Sequence, residues 1–362
     1  MSFVRLLRFG GIVFGMAAIV CCAAGGVTKA TNRPPPEQQQ KLTDLLARLS
    51  RHQPTTPQWL ELAEKIADLG EAGRERLRPV LNGKLRALDR TYRTAFHASA
   101  QRLRVARFAK TLEEEGKTRA ELSREAHEAR QAVLTLTKKS DLSTSDLRRT
   151  GSPAMKRLTE LFTVNRQAVL DADEALRARR AHLLKLWALE ARCKPAGTTK
   201  PDRRPQGDER LAHFEHAEAS LVIPMTAAAR RTIEANAVQA LRIRPEEADG
   251  IRDLNRMRAL LGLRVLAIDV RLCKAARDHC TDMRTKRFFS HTSPVPGKRS
   301  LVDRARRAGT TAHAENIIYG ARTGPQANRM WFHSPGHMKN MFRNFRRVGL
   351  GHDGPWTQMF GY

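Results

Sequence analysis

Residues 251–298 read IRDLNRMRALLGLRVLAIDVRLCKAARDHCTDMRTKRFFSHTSPVPGK, and this segment carries the clearest structural signals of the C-terminal part of the chain. Apolar residues recur with helical spacing over Ile251–Leu261 and again over Val270–Arg284. Gly262 is placed to end the first helix, and Asp269 is a suitable N-cap for the second. We therefore predict two helices, each of which buries one face.

Three further blocks of sequence combine strand and helix signals. They read HAENIIYGARTG (313–324), MWFHSPGHMKNMF (330–342) and RRVGLGHDGPWTQMFGY (346–362). The β-forming residues of the first block, and those on both sides of the HDGP turn in the last, predict three antiparallel strands. In the middle block, Ser334 and Pro335 are typical of a helix start, which places His337 in the first helical turn.

These blocks, in this order, resemble the CAP superfamily, also called SCP-like, and most closely its bacterial branch. The resemblance is carried by Asn255 and Arg258 in the opening helix, by FFSH with His291, by AEN with Glu315 and by SPGH with His337. It covers the C-terminal third of the chain. It implies an α+β fold, namely an α-β-α sandwich in which a three-stranded antiparallel sheet lies between helices.

The resemblance also implies a site, because the matching family positions converge in a shallow cleft that often holds a divalent cation. His291, Glu315 and His337 are sufficient ligands for zinc, which is favoured here over calcium or magnesium, and they leave one position open for water. If the protein is a hydrolase, Glu315 is a ligand or the general base and thus the candidate catalytic residue. If it is not, the three residues form a structural cluster in which the imidazoles donate to Glu315. Binding is favoured over catalysis.

Two departures from the family pattern weaken the transfer of a mechanism. Animal and plant members carry a second carboxylate shortly after the tryptophan, whereas Trp331 is followed here by FHS. Ala314 replaces the glycine that is common before the Glu-Asn pair. His333 lies four residues before His337 but outside the predicted helix, so we do not interpret the two histidines as a helical zinc pair.

Most other polar residues of this region are predicted to be structural. His279 is interpreted as a core histidine, Asn316 as fixing the backbone of the AEN motif, and Gln358 as reaching the cleft from the last strand. Asp303 and Arg304 are predicted to form a local ion pair. The aromatic residues predicted to lie in the core are Trp331, Phe332, Phe342, Phe345, Trp356 and Phe360.

The cysteines do not suggest a disulfide framework. Two of the five, Cys21 and Cys22, lie in the N-terminal apolar stretch. Cys273 and Cys280 share one predicted helix and are about 10 Å apart along its axis, which is too far for a disulfide. We predict that both are buried and act as small apolar residues.

The first residues have the pattern of a secretory leader. Arg5 and Arg8 precede an uncharged stretch, FGGIVFGMAAIVCCAAGGVT, that ends in small residues. This predicts a signal peptide over residues 1–24. The alternatives are an uncleaved N-terminal anchor and lipid attachment at Cys21. Each alternative places the body of the chain outside the cytoplasm, either secreted or tethered to the membrane.

Residues 37–193 are predicted to be a basic, all-α region, with a break near Pro54–Pro57. Two stretches have heptad spacing. The first has Val105, Phe108, Leu112, Leu122, Ala126, Ala129, Val133 and Leu136 at a and d, with Glu115 and Arg119 as exceptions. The second has Met155, Leu158, Phe162, Val169, Ala172, Leu176, Leu183 and Leu186, with Asn165 and Arg179 as exceptions. Turn residues between them predict an antiparallel, partly coiled-coil hairpin.

The length of 362 residues suits more than one structural unit. The predicted parts are a signal peptide or anchor (1–24), a Pro-rich linker (25–36), the basic helical region (37–193), a second linker (194–209), a connecting helix (210–244) and the CAP-like domain (245–362).

The composition limits the possible partners. Lys and Arg number 65 against 37 Asp and Glu, for a net charge of +28, and the mean hydropathy of -0.50 excludes a multi-span membrane protein. Such a basic chain suits an anionic polymer or lipid of the cell envelope. Specific nucleic-acid binding is not predicted, because no aromatic residues alternate with the arginines. The sequence has no GxGxxG, GxxxxGK[ST] or GxSxG motif, so no organic cofactor is predicted.

Together these features predict an exported bacterial CAP-domain protein that binds a partner at the cell envelope or outside the cell. One alternative is a metal-dependent hydrolase that uses the same cleft. A second alternative is a structural protein in which the coiled coil forms a homo-oligomer and the CAP domain is a passive head.

Overall fold

The computed structural model describes residues 35–195 and 225–362. Helices dominate both ranges, and a small mixed sheet lies in the C-terminal third, so the predicted α+β class is confirmed. The leader at 1–24, most of the linker at 194–209 and the start of the connecting helix lie outside the described residues. Within those residues, no helix is both long and apolar enough to cross a membrane.

The range 35–195 is built from helices. They are α1 Pro36–Ser50, α2 Pro57–Asp68, α3 Glu71–Glu115, α4 Arg119–Lys138, α5 Ser152–Ala175 and α6 Arg177–Arg192. A helical turn at Thr144–Asp146 and a π-helical turn at Leu147–Gly151 lead into α5. The predicted break near Pro54–Pro57 is confirmed, since α2 begins at Pro57 and the Thr56 hydroxyl accepts from the Trp59 N–H at 3.3 Å.

The two heptad stretches pack together, but neither is a single helix. Gly116 has a left-handed φ of 61° and ends α3, and a capping box at Thr118–Glu121 starts α4. Glu115 and Arg119, the polar exceptions in the heptad pattern, flank this break. Helix α5 packs against both α3 and α4, and Val105 at an expected buried position is 49% exposed. The helices therefore form a bundle, and a coiled coil is not confirmed.

The second range carries the sheet. Its elements are α7 Ala227–Ala240, α8 Pro245–Leu260, β1 Ala267–Ile268, α9 Val270–Thr285, α10 Leu301–Arg307, β2 Ala314–Ile318, α11 Gly324–Phe332, α12 Pro335–Phe342, β3 Arg347–His352 and β4 Trp356–Gly361. Gly262, with a φ of 71°, follows α8 as predicted. Asp269 caps α9 by accepting from the N–H groups of Arg271 and Leu272, also as predicted.

The sheet has the strand order β1-β3-β4-β2. Strands β2, β3 and β4 are antiparallel neighbours, so the three predicted strands are confirmed. The prediction of a purely antiparallel sheet was wrong, because β1 adds a fourth strand parallel to β3. A strand of two residues is too short to show any period in the sequence.

Helix α9 lies directly on strand β3, because two glycines in the strand permit it. A Cβ at Gly349 would lie 2.3 Å from the carbonyl carbon of Leu272, and one at Gly351 would lie 2.1 Å from the backbone nitrogen of Arg277. Only glycine fits at such distances. This close packing fixes the helix that leads into the loop carrying His291.

One apolar core joins the helical bundle to the C-terminal region. It includes Phe108, Leu122, Val133 and Leu158 from the bundle and Leu254, Trp331, Phe332 and Phe360 from the C-terminal region. Backbone contacts accompany it, since Arg130 Nε donates to the carbonyl of Leu260 at 3.2 Å and Lys339 Nζ donates to that of Ser140 at 3.3 Å. The six aromatic residues predicted in the core are all buried.

Cys193, Cys273 and Cys280 are buried free thiols, which confirms the prediction for Cys273 and Cys280. Burial raises the pKa of Cys273 and of Cys280 to about 12. The reactive thiolate form is therefore suppressed at neutral pH, and these cysteines act as packing residues.

Candidate functional site

Three separate elements bring the predicted site residues together around strand β2, at the edge of the sheet. Glu315 is the second residue of β2, which pairs with β4 in a register that places Asn316 opposite Gln358. His291 lies in the loop between α9 and α10, and His337 lies in the first turn of α12. We refer to His291, Glu315, His337, Arg304 and His279 as the His–Glu site.

Glu315 is the centre of the His–Glu site. Its Oε1 accepts from His291 Nδ1 at 2.8 Å, and both carboxylate oxygens accept from Arg304 Nη2, at 2.9 and 2.8 Å. Its side chain is 3% exposed. Burial raises the pKa of this carboxyl, but the hydrogen bond from His291 and the charge of Arg304 outweigh burial, so the pKa lies below its usual value. Glu315 is thus an ionised acceptor at neutral pH.

The predicted local pair of Asp303 and Arg304 was wrong. Asp303 is the N3 residue of a capping box, and its Oδ2 accepts from the hydroxyl of Ser300 at 2.7 Å. The Arg304 side chain, 1% exposed, points instead into the interior toward Glu315. Its Nη1 also donates to the carbonyls of Lys298 and Arg299, at 3.1 and 3.2 Å. The guanidinium therefore ties the loop before α10 to strand β2.

His291 is oriented by Glu315 and reaches solvent. A carboxylate can only accept, so Nδ1 of His291 carries the proton in this hydrogen bond. The other ring nitrogen, Nε2, then has a free lone pair. The side chain is more than half exposed, which makes that lone pair accessible to a ligand.

His337 is the second histidine of the His–Glu site. Pro335 is the first residue of its helix, as predicted, although the side chain of the N-cap residue Ser334 makes no capping bond. Burial and, to a smaller extent, the electrostatic interaction with His291 lower the pKa of His337, so the ring is neutral at neutral pH. Its Nδ1 is buried and has no hydrogen-bond partner among the described residues.

His279 forms the inner wall of the His–Glu site. It is fully buried on α9, as expected for a core histidine, and its Nε2 donates to the carbonyl of Ser290 at 3.1 Å. The same nitrogen lies 4.0 Å from Glu315 Oε1. Burial lowers the pKa of His279 to about 4, so it stays neutral. It thereby holds the backbone next to His291.

A chain of buried amides supports the His–Glu site from behind. Asn316 Nδ2 donates to Gln358 Oε1 at 3.1 Å and to the carbonyl of His337 at 3.2 Å. Gln358 Nε2 in turn donates to Asn328 Oδ1 at 3.2 Å. Asn316 therefore holds the backbone at His337 instead of that of its own motif. Gln358 is completely buried and reaches Asn316 instead of an open cleft.

His333 points away from the His–Glu site. It follows α11, and its Nδ1 lies 3.5 Å from the hydroxyl of Ser152 in the helical bundle. Nothing in the sequence indicates that Arg304 is a site residue, because its partner Glu315 is eleven positions away and Asp303 is adjacent. The only available signal was the Ser300–Asp303 capping-box spacing, which already assigns Asp303 another role.

The donor atoms fit a cation only in part. The free Nε2 of His291 and the unpartnered Nδ1 of His337 are suitable nitrogen donors. Glu315 does not fit as a direct ligand, since Arg304 occupies both of its oxygens and repels a cation. Among the described residues, no group of three or more His, Cys, Asp or Glu side chains is arranged to hold a metal ion. The three-ligand set stays a prediction.

Comparison with known proteins agrees with the resemblance seen in the sequence. Residues 251–354 match the family model described as CAP, the cysteine-rich secretory protein family. The chain is 37% identical over 112 residues to the uncharacterized protein YkwD of Bacillus subtilis (strain 168), covering 29% of this chain and 43% of that protein. It is 34% identical over 110 residues to the uncharacterized membrane protein YlbC of the same strain, covering 29% and 31%.

One solved structure is also similar to part of the chain. It is an extracellular protein containing an SCP domain from Bacillus anthracis str. Ames, with 28% identity, a TM-score of 0.31, and coverage of 38% of this chain and 44% of that one. The chain spans less than half the length of each of the two curated relatives. The match to the family model lies in the C-terminal third and does not include the helical bundle.

Proposed function

Because residues 251–354 form a CAP domain, we propose that this chain is an exported binding protein of the cell envelope, with the His–Glu site as its recognition site. The leader pattern at residues 1–24 supports an extracytoplasmic location. The net charge of +28 supports an anionic polymer or lipid of the envelope as the surrounding surface.

The pairing of Glu315 with Arg304 is the observation that favours binding over hydrolysis. A general base works best with a pKa near the working pH and an oxygen within reach of the proton that it removes. The pKa of Glu315 is lowered, and both of its oxygens are bonded to a buried guanidinium. Glu315 is therefore suited to orient His291, whose exposed Nε2 can accept a hydrogen bond from a ligand.

A turnover assay separates binding from hydrolysis. Purified full-length chain and the Glu315→Gln variant would be compared on p-nitrophenyl acetate and p-nitrophenyl phosphate, with the exposed Glu160→Gln variant as a matched control. We expect no turnover that depends on Glu315. Turnover lost in Glu315→Gln but kept in Glu160→Gln would contradict the proposal and establish a hydrolase.

A cation site is the second candidate function, and the unpartnered Nδ1 of His337 favours it. In that case His291 and His337 would supply the ligands, and Glu315 would fix the orientation of His291, as carboxylates commonly do for metal-bound histidines. A bound divalent cation would supply a Lewis acid at the site. The residues of the protein would only hold the cation and orient the ring of His291.

Calorimetric titration of zinc into the metal-stripped full-length chain tests this candidate. We expect micromolar or tighter binding that is lost in His291→Ala/His337→Ala. The control is His313→Ala/His352→Ala, which removes two histidines outside the His–Glu site. Equal zinc binding by both double variants, or none by the parent, would exclude a cation from the site.

The location is tested by cell fractionation. The full-length chain and a version that lacks residues 1–24 would be expressed in a bacterial host. We expect the full-length chain in the envelope or medium and the truncated one in the cytoplasm. Retention of both versions in the cytoplasm would contradict an exported role.

A further inference from the structure

Exposed aromatic and basic side chains lie together beside the His–Glu site. Phe289 and Tyr319 are 53% and 68% exposed, and their ring centroids are 6.5 Å apart. Lys286 and Arg287 are exposed just before Phe289 in the chain. We call these four residues the rim patch. None of them is used by the His–Glu site, and large exposed apolar groups in contact often mark an interaction surface.

The backbone at Arg287 is an unusual feature of the rim patch. Arg287 is the one residue other than glycine in the described ranges with a positive φ, at 56°. It follows the end of α9, where Phe288 N–H donates back to the Met283 carbonyl at 3.1 Å, the closing bond of a Schellman motif. Glycine normally takes this position. The chain has an arginine instead. Arginine is less stable than glycine in this left-handed conformation, but it adds an exposed positive charge.

The rim patch has no acidic side chain to neutralise it. Neither Lys286 nor Arg287 makes an ion pair with a carboxylate in the described part of the chain, whereas the nearby Arg284 is paired with Asp353 at 2.9 Å. Two free cations next to two exposed rings suit an anionic surface with an apolar interior.

We propose that the rim patch docks the CAP domain on the surface of an anionic lipid bilayer. Aromatic rings favour the interface between headgroups and acyl chains, and lysine and arginine beside them bind anionic headgroups. The rings of Phe289 and Tyr319 are inclined at 77°, so they do not form the flat platform that stacking on a sugar or base requires. Phe289 also has no polar atom with which to bond a soluble polymer.

This docking surface adds to the proposed function and needs none of the chemistry of the His–Glu site. It rests on the proposed function in one respect only: export decides which side of the membrane the chain meets. A test with purified protein and vesicles is therefore independent of export, of cation binding and of any cleft ligand.

The natural tryptophans make a direct test possible. All four, Trp59, Trp187, Trp331 and Trp356, are buried, so a Tyr319→Trp variant adds one exposed fluorophore within the rim patch. The full-length variant would be mixed with vesicles of phosphatidylcholine containing 30% phosphatidylglycerol, or of phosphatidylcholine alone. We expect a blue shift of the emission, and quenching by brominated acyl chains, with the anionic vesicles only.

Two substitutions and their controls then assign the binding. Phe289→Ser should lower vesicle affinity about tenfold, whereas Val105→Ser, at an equally exposed apolar position on α3, should not. Arg287→Gly should weaken binding while raising the unfolding midpoint, since glycine relieves the positive φ. Arg76→Gly, at an exposed arginine inside helix α3, should lower the unfolding midpoint and leave binding unchanged.

Three results would overturn the proposal. The vesicles could bind while the emission of the Tyr319→Trp variant stays unchanged, which would assign binding to the basic helices. Sodium polyphosphate in solution could shift the emission as strongly as the vesicles, which would make the patch a polyanion site. The anionic vesicles could also fail to bind at all.

Discussion

Arg304 holds Glu315 through both carboxylate oxygens, at 2.9 and 2.8 Å, and both side chains are almost fully buried. The pair joins α10 to β2, and His291 and His279 complete the surroundings of the carboxylate. A buried ion pair of this kind contributes little net stability, but the loss of one partner leaves an isolated charge in the interior.

Replacing only Arg304 should be far more damaging than replacing both partners. Arg304→Met should lower the free energy of unfolding by about 3–5 kcal/mol, because Glu315 is then a buried carboxylate without a cation. Arg304→Met combined with Glu315→Leu should recover most of that loss. Urea unfolding of the two single variants and the double variant measures the coupling. Losses that simply add would show that the pair is not coupled.

His279 should make the protein less stable as the pH falls from 6.5 toward 4. The pKa of His279 is lowered from 6.5 to about 4 by burial, so the unfolded chain binds a proton in this window and the folded chain does not. Glu315 and Arg304, the charges that face His279, act on it in opposite directions. Across this pH range His279 lowers the free energy of unfolding by as much as about 3 kcal/mol.

His279→Gln is the matched test, because glutamine can still donate to the Ser290 carbonyl but does not titrate. Urea unfolding at pH 7 and at pH 4.5 should show a smaller loss of stability for this variant than for the parent. The same pH dependence in both proteins would mean that other groups cause the acid sensitivity.

Two glycines should respond to alanine in opposite directions. Gly349→Ala should destabilise the fold by about 3 kcal/mol or more, since its Cβ would lie 2.3 Å from the backbone of Leu272. Gly336→Ala, in the first turn of α12, meets nothing within 4 Å and should stabilise by about 0.5–1 kcal/mol. In thermal unfolding, the midpoint should fall for Gly349→Ala and rise for Gly336→Ala. A tolerated Gly349→Ala would contradict the close contact of α9 with β3.

The buried amide chain should be sensitive to the loss of Gln358. Gln358→Leu removes the donor to Asn328 Oδ1 in the interior and should cost about 1–3 kcal/mol. Gln167→Leu, at an exposed glutamine that bonds Asp171 on the same helix, should change stability by less than about 0.5 kcal/mol. Urea unfolding midpoints compare the two. Equal effects would show that the amide chain does not contribute to the fold.

The sequence predicted the elements whose signals are local. Helical periodicity over 270–284, the cap at Asp269 and the turn around HDGP each depend on residues a few positions apart, and all were found. Strand β1 was missed because two residues have no period, and it is held in the sheet by its pairing with β3.

The sequence could not predict the contacts that join distant segments. The partner of Arg304 lies in another element, and a neighbouring aspartate offered a more obvious pairing. The heptad pattern correctly identified apolar helix faces, but such a pattern does not say which surface covers them. In the structure, part of that surface belongs to the C-terminal region.

Because the bundle and the CAP domain share an apolar core, they are not independent folding units. Residues such as Leu158 and Phe108 are buried in the same cluster as Phe332 and Leu254, so the two segments that the sequence divides at a linker have a common interior. A fragment that began at Pro245 would expose the apolar face that the bundle covers in the full chain. In this protein the recognised domain and the part of the bundle that shares its core should therefore unfold together.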